Sequence, residues 1–263
     1  MCGDCGCSAN AADFKLTDVI GQIELASRSK RTIDVMSGLL SSNDSVAAAN
    51  RQQFNQHQVL VINLMSSPGS GKTALLEATI DALASRCRLA VIEGDLETEN
   101  DSNRIRAKGV PAIQIITGQT CHLDANMVQR AIRHLDLSSL DILFIENVGN
   151  LVCPASHDLA EHVRVVLLSV TEGDDKPGKY PKMFRTSQAL VISKTDLLEH
   201  VPFSVDAAVQ DARKIQPELN VFPVCSLTED GIEAWCTFLE TERNALQSPH
   251  SRVDDKKVVT NDG

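Results

Sequence analysis

Residues 66–73 read Ser66-Ser67-Pro68-Gly69-Ser70-Gly71-Lys72-Thr73, a glycine-rich turn that ends in Gly-Lys-Thr. Gly69 and Gly71 let the backbone curl until successive N–H groups face one point. A helix opening at Thr73 adds the partial positive charge of its N-terminus. That combination suits a polyphosphate, with Lys72 reaching the β- and γ-phosphates and Thr73 holding Mg²⁺. The general pattern opens on Gly, and here Ser66 takes that place.

Three further segments fit the same chemistry. Glu93-Gly94-Asp95 closes an apolar run, and a carboxylate there can hold Mg²⁺ directly or through water, with Asp95 the preferred residue. Glu146-Asn147-Val148-Gly149 has the shape of a carboxylate-x-x-Gly switch, in which Gly149 lets the backbone move when the γ-phosphate leaves. Ser193-Lys194-Thr195-Asp196 matches a base-reading turn: Asp196 accepts from guanine N1–H and N2–H₂, and the Lys194 stem lies along the base. Ser193 stands where Asn is usual, an exchange expected to loosen the loop while leaving Asp196 in place. Ser226-Leu227-Thr228 is expected to supply a second base-contacting loop. Together these features predict a GTPase. With no evident water-activating residue or arginine finger, its hydrolysis is expected to be slow.

The thiols suggest a second chemistry. Cys2, Cys5 and Cys7 place three soft donors in the first seven residues. In a reducing compartment they are expected to form a metal site that suits square-planar Ni²⁺, with the Met1 amine as a fourth donor where it is free, and that also suits Zn²⁺. Cys121-His122 and Cys153 form a second candidate set, and Cys153 lies four residues past Gly149. Three ligands do not close a tetrahedral site, but a symmetric dimer can share two sets across its axis. Movement of the switch would then alter the metal geometry. Cys87, Cys225 and Cys236 read as core residues, and no ligand role falls to His57, His134, His157, His162, His200 or His250.

These groups need a scaffold. Apolar runs at 58–65, 88–95, 111–117, 141–147, 164–170, 188–193 and 220–225 alternate with helical patterns at 73–85, 101–108, 124–135 and 231–246. Such alternation predicts an α/β fold, a P-loop NTPase with a mainly parallel, doubly wound sheet and helices on both faces. Residues 14–50 predict one or two helices packed on that domain, with Ile20, Ile23, Leu25, Ile33, Val35, Met36, Leu39 and Leu40 as the apolar set. The division expected is a metal-binding N-terminal segment at 1–28, the GTPase domain at 29–246 and a disordered tail at 247–263.

A chain of 263 residues with 43% hydrophobic content is long enough for one sizeable core, and with 3% aromatics that core must rest on aliphatic side chains. A formal net charge of -10 argues against nucleic acid or anionic lipid as the main partner. The N-terminal ten residues lack the basic start and apolar run of a signal peptide, and no membrane span is present. The expected location is therefore cytoplasmic.

Taken together, SSPGSGKT (66–73), GQTCHLDA (118–125), FIENVGNLVCP (144–154), SVTEGDDKPGKYP (169–181) and the opening MCGDCGC resemble the HypB family of hydrogenase-maturation nickel-incorporation GTPases. The resemblance spans about residues 30–245 plus the cysteine motif. It implies a P-loop GTPase branch that dimerises with nucleotide. It also implies a tight nickel site at Cys2, Cys5 and Cys7 and a weaker Ni/Zn site at Cys121, His122 and Cys153. The implied partners are an accessory zinc-binding maturation protein and a hydrogenase large-subunit precursor. A urease-maturation GTPase, or a nickel/zinc storage or sensing protein without coupled GTP turnover, are the alternatives. No His-rich storage tract is present.

Overall fold

The computed structural model describes residues 30–95, 100–118 and 120–248, with side chains described from residue 41. Cys2, Cys5 and Cys7, Ile20, Ile23 and Leu25, the segment 1–28 and nearly all of the predicted tail lie outside the described residues, as do the side chains of the apolar set from Ile33 to Leu40. Among the described residues no helix is long and apolar enough to cross a membrane.

Seven strands form one sheet in the order β3-β2-β4-β1-β5-β6-β7. They are β1 (Leu60–Ser66), β2 (Leu89–Asp95), β3 (Ala112–Ile116), β4 (Ile142–Glu146), β5 (Val163–Ser169), β6 (Ala189–Ser193) and β7 (Asn220–Pro223). Every pairing is parallel. All seven β1 residues are buried, as expected of a central strand covered on both faces. Leu60, Ile62 and Leu64 point to one face, where they meet helices α2 (Lys72–Leu83), α3 (Asn100–Ala107) and α8 (Ile232–Gln247). Val61 points to the other, toward α1 (Lys30–His57) and α4 (Ala125–Ile132). Met65, farther along, meets α6 (Pro181–Arg185) and α7 (Val205–Ile215), which follow the four-residue α5 (Lys176–Lys179).

Apart from the N-terminal pattern, each strand and helix expected from the sequence is present to within about two or three residues, the usual scatter at element ends. From residue 30, where the description begins, the N-terminal pattern is a single helix, α1, which runs on to His57. Its periodicity reads as broken because the buried stripe Asn43, Ala47, Asn50 and Phe54 alternates polar with apolar. Both asparagines are used: Asn43 Oδ1 accepts from the Ala125 N–H at 2.8 Å, and Asn50 Nδ2 donates to the Ala125 carbonyl at 2.9 Å. Helix α1 thereby pins the start of α4. Helix α7, absent from the sequence reading, buries Ala208 and Ala212 and packs Val205, Val209 and Ile215 against the same cluster, an apolar face at helical spacing that was available in the sequence.

Candidate functional site

The carboxyl ends of β1, β2, β4 and β6 converge beside the turn between β1 and α2. Gly69 and Gly71 adopt φ of 73° and 93°, the left-handed region in which a side chain is costly. Lys72 Nζ donates to Ser66 Oγ at 3.0 Å, so the serine at the position where Gly is usual steadies the lysine head. Thr73 Oγ1 donates to Glu146 Oε1 at 3.0 Å.

Glu146 stands at the end of β4, in register with Glu93 on β2. Both carboxylates are buried, and Oε2 of each has no hydrogen-bond partner. Burial, followed by the neighbouring Glu146, pushes Glu93 up to about 8. Burial also raises Glu146 to about 7, against the opposing pull of Lys72 and Thr73. Two orphaned carboxylate oxygens beside a threonine hydroxyl and a phosphate-type loop call for a hard divalent cation. Glu93, Asp95 and Asp101 also bring one oxygen each within 4.8 Å of one another. The sequence offered Glu93 and Asp95 and preferred Asp95; that the two act together was missed, as was Asp101. The available signal was spacing, since residues 93 and 95 of a strand share one face.

The turn after β6, expected from the sequence to read the base, is tied to the phosphate loop. Lys194 sits at φ 60°, a strained conformation for a side-chain-bearing residue, and its Nζ donates to the Gly69 carbonyl at 2.7 Å. Ser193 Oγ donates to the Ser70 carbonyl at 2.6 Å. The serine therefore ties this turn to the phosphate loop instead of loosening it, because its short side chain reaches the carbonyl directly. The Cys225 thiol, read from the sequence only as core, donates to Asp196 Oδ1 at 3.2 Å. Ser226 and Leu227 follow it, with Leu227 exposed.

Cys121, His122 and Cys153 come together, with one ligand atom from each within 4.8 Å of the others. Two donors opposite one another on a thiolate-bound ion stand ~4.6 Å apart, so the set fits a soft cation with little movement. Burial, reinforced by nearby His157, lowers His122 to about 4, which keeps the imidazole neutral and able to ligate. His157, to which sequence reasoning gave no ligand role, stacks on His122.

One segment links the two centres. Glu146 holds Thr73. Asn147 Oδ1 accepts from the Leu123 N–H at 3.1 Å. A Cβ on Gly149 would lie 2.9 Å from the Pro68 backbone. Asn150 Nδ2 donates to the Cys121 carbonyl at 3.4 Å. Cys153 ends the run. Residues 146–153 thus touch the phosphate loop at one end and carry a thiol of the metal set at the other.

Residues 60–223 match the model of the CobW/HypB/UreG nucleotide-binding domain. The chain is 50% identical over 213 residues to hydrogenase maturation factor HypB of Azotobacter vinelandii, covering 81% of this chain and 70% of the relative. It is 44% identical over 228 residues to the hydrogenase/urease maturation factor HypB of Helicobacter pylori (strain J99), covering 85% and 93%. The crystal structure of Helicobacter pylori HypB in complex with nickel superposes with a TM-score of 0.75 at 44% identity, covering 80% of this chain and 99% of that one.

Proposed function

From its membership of the CobW/HypB/UreG nucleotide-binding family, to which this chain belongs as a HypB hydrogenase maturation factor, we propose a nickel metallochaperone whose GTPase cycle governs metal release. The cargo passes to a hydrogenase large-subunit precursor, with an accessory zinc-binding maturation protein as a further partner. The observation that carries this reading is the continuous segment 146–153, which runs from the Thr73–Glu146 hydrogen bond to Cys153.

In this reading GTP lies along residues 67–73, with its base against Lys194, Asp196, Ser226 and Leu227. Mg²⁺ is held by Thr73 and Asp95, with Glu93 and Glu146 beside it, and supplies charge neutralisation at the phosphates. Lys72 leaves Ser66 for the β- and γ-phosphates. Gly149, seated on Pro68, responds to the presence of the γ-phosphate. Its displacement travels through Asn150 to Cys121 and along the chain to Cys153, changing the geometry of the metal set. Hydrolysis is slow in this reading, because the sequence motifs supply no arginine finger or water-activating residue. Cys2, Cys5 and Cys7 form the tighter nickel site. Zn²⁺ competes at Cys121, His122 and Cys153. The protein works in the cytoplasm as a homodimer that nucleotide or metal promotes, and exposed Val152 beside Cys153 gives that contact an apolar element.

Nickel retention by the full chain with its native N-terminus tests the reading, measured with a GTP analogue, with GDP and with neither. A variant lacking Cys2, Cys5 and Cys7 isolates the inner site. Retention that differs between the nucleotide states, and loses that difference in Lys72→Ala, is expected. Identical retention in all three states would mean that the phosphate loop and the thiols act separately, and the coupled mechanism would be withdrawn.

A further inference from the structure

Beside Cys121, His122 and Cys153 stands an imidazole that the reading so far leaves without a task. The His157 ring lies against that of His122 with centroids 3.8 Å apart and planes 21° from parallel. Its Nδ1 lies 3.1 Å from the main-chain carbonyl oxygen of Cys153. A carbonyl oxygen only accepts, so Nδ1 carries the proton and donates. The His157 main chain is itself held, because its carbonyl accepts from Arg164 Nη2 at 3.0 Å. Arg164 belongs to β5 and is paired with Glu161. His157 is therefore tied to the sheet while it touches two members of the metal set.

We propose that His157 is a positioning residue for the metal cargo, one ring that fixes the His122 imidazole by stacking and the Cys153 main chain by a hydrogen bond. The proposal rests on the reading of Cys121, His122 and Cys153 as a metal site. His157 is not itself a ligand in this arrangement. Imidazole lone pairs lie in the ring plane, and two near-parallel rings direct theirs side by side, so one ion cannot lie in line with both. Its contribution is preorganisation: the ring of one ligand and the backbone of another are ordered before the metal arrives. Cys153 also ends the segment that starts at Glu146. Motion of that segment acts on the His157–Cys153 hydrogen bond, which gives metal release a defined point of control.

The test uses the full chain with Cys2, Cys5 and Cys7 replaced by Ala, so that only the inner site binds. Ni²⁺ is titrated against a competing chelator, and the thiolate-to-nickel charge-transfer band is recorded. His157→Ala is expected to weaken nickel binding on the order of 10–100-fold and to shift that band. His157→Phe keeps the stack without the hydrogen bond and recovers part of the affinity. GTP affinity stays at the parent value in both, which also reports that they fold. Parent affinity and an unshifted band in His157→Ala would overturn the proposal. So would equal losses in the Phe and Ala variants, which would mark the imidazole as a ligand. Cys153→Ala separates the two levels: if it binds nickel like the parent, the site itself has been misread and the role of His157 falls with it.

Discussion

The Ser193 hydroxyl donates a 2.6 Å hydrogen bond to the Ser70 carbonyl, joining the base-reading turn to the phosphate loop across 123 residues of sequence. Lys194 repeats the connection one residue later, onto Gly69. The two halves of the nucleotide site are thus braced against each other.

Removing that brace in Ser193→Ala leaves the phosphate loop without one of its two ties. A buried hydrogen bond of this kind is worth ~0.5–1.5 kcal/mol, so GTP and ATP should both bind about 2–10-fold more weakly, with their ratio unchanged. Fluorescent-nucleotide titration measures both constants. Unaltered affinity for both would show that the hydroxyl does not support the loop.

Asp196 Oδ1 accepts from the Cys225 thiol at 3.2 Å. Asp196→Ala should erase most of the preference for GTP over ATP, on the order of 100-fold, since hydrogen bonds to a charged acceptor contribute ~1.5–3 kcal/mol each. Competition titration of the two nucleotides gives the ratio. A preserved ratio would remove Asp196 from the base site.

A Cβ at position 149 would sit 2.9 Å from both the N and the Cα of Pro68. Backbone cannot swing aside like the tip of a long side chain, so Gly149→Ala must displace the phosphate loop. Overpacking of ~1–3 kcal/mol should appear as a loss of GTP affinity on the order of 10-fold or more. Wild-type GTP affinity in this variant would mean that residues 149 and 68 do not report to one another.

His162 links α1 to β1. Its Nδ1 accepts from the Val61 N–H at 3.0 Å, so the other nitrogen, Nε2, carries the proton and faces Asn55 Oδ1 at 2.9 Å. Burial, with a smaller push from Arg51, lowers it to about 4. The folded state then binds fewer protons than the unfolded state between about pH 6.5 and 4, so this group's contribution to stability falls as pH drops through that window. His162→Asn keeps an acceptor for Val61 and removes the titration. It should be less stable by ~1 kcal/mol at pH 7, with the difference from wild type shrinking and then reversing as pH falls toward 4. Parallel melting-temperature curves for the two proteins across that range would refute the assignment.

The phosphate loop, the carboxylate-x-x-Gly run, the base-reading turn and the order of strands and helices were legible in the linear chain. Each is a local pattern: glycines where φ must be positive, apolar runs of strand length, a polar turn after each run. The pairing of Cys121 and His122 was legible for the same reason, as neighbours in sequence. Other relationships come from the sheet alone. Parallel register puts Glu93 beside Glu146, and burial there is the largest cause that raises both carboxyls. His157 looked like one scattered histidine among several until a turn after β4, anchored by Arg164, laid it on His122. Helix α1 hid its face because two of its buried positions are asparagines, whose value lies in the ends they cap on a helix 75 or more residues away. Local conformational preference is written in neighbouring residues. Burial, stacking and long-range hydrogen bonds depend on which segments the fold brings together, and here they decide how a nucleotide loop and a metal set come to share one stretch of chain.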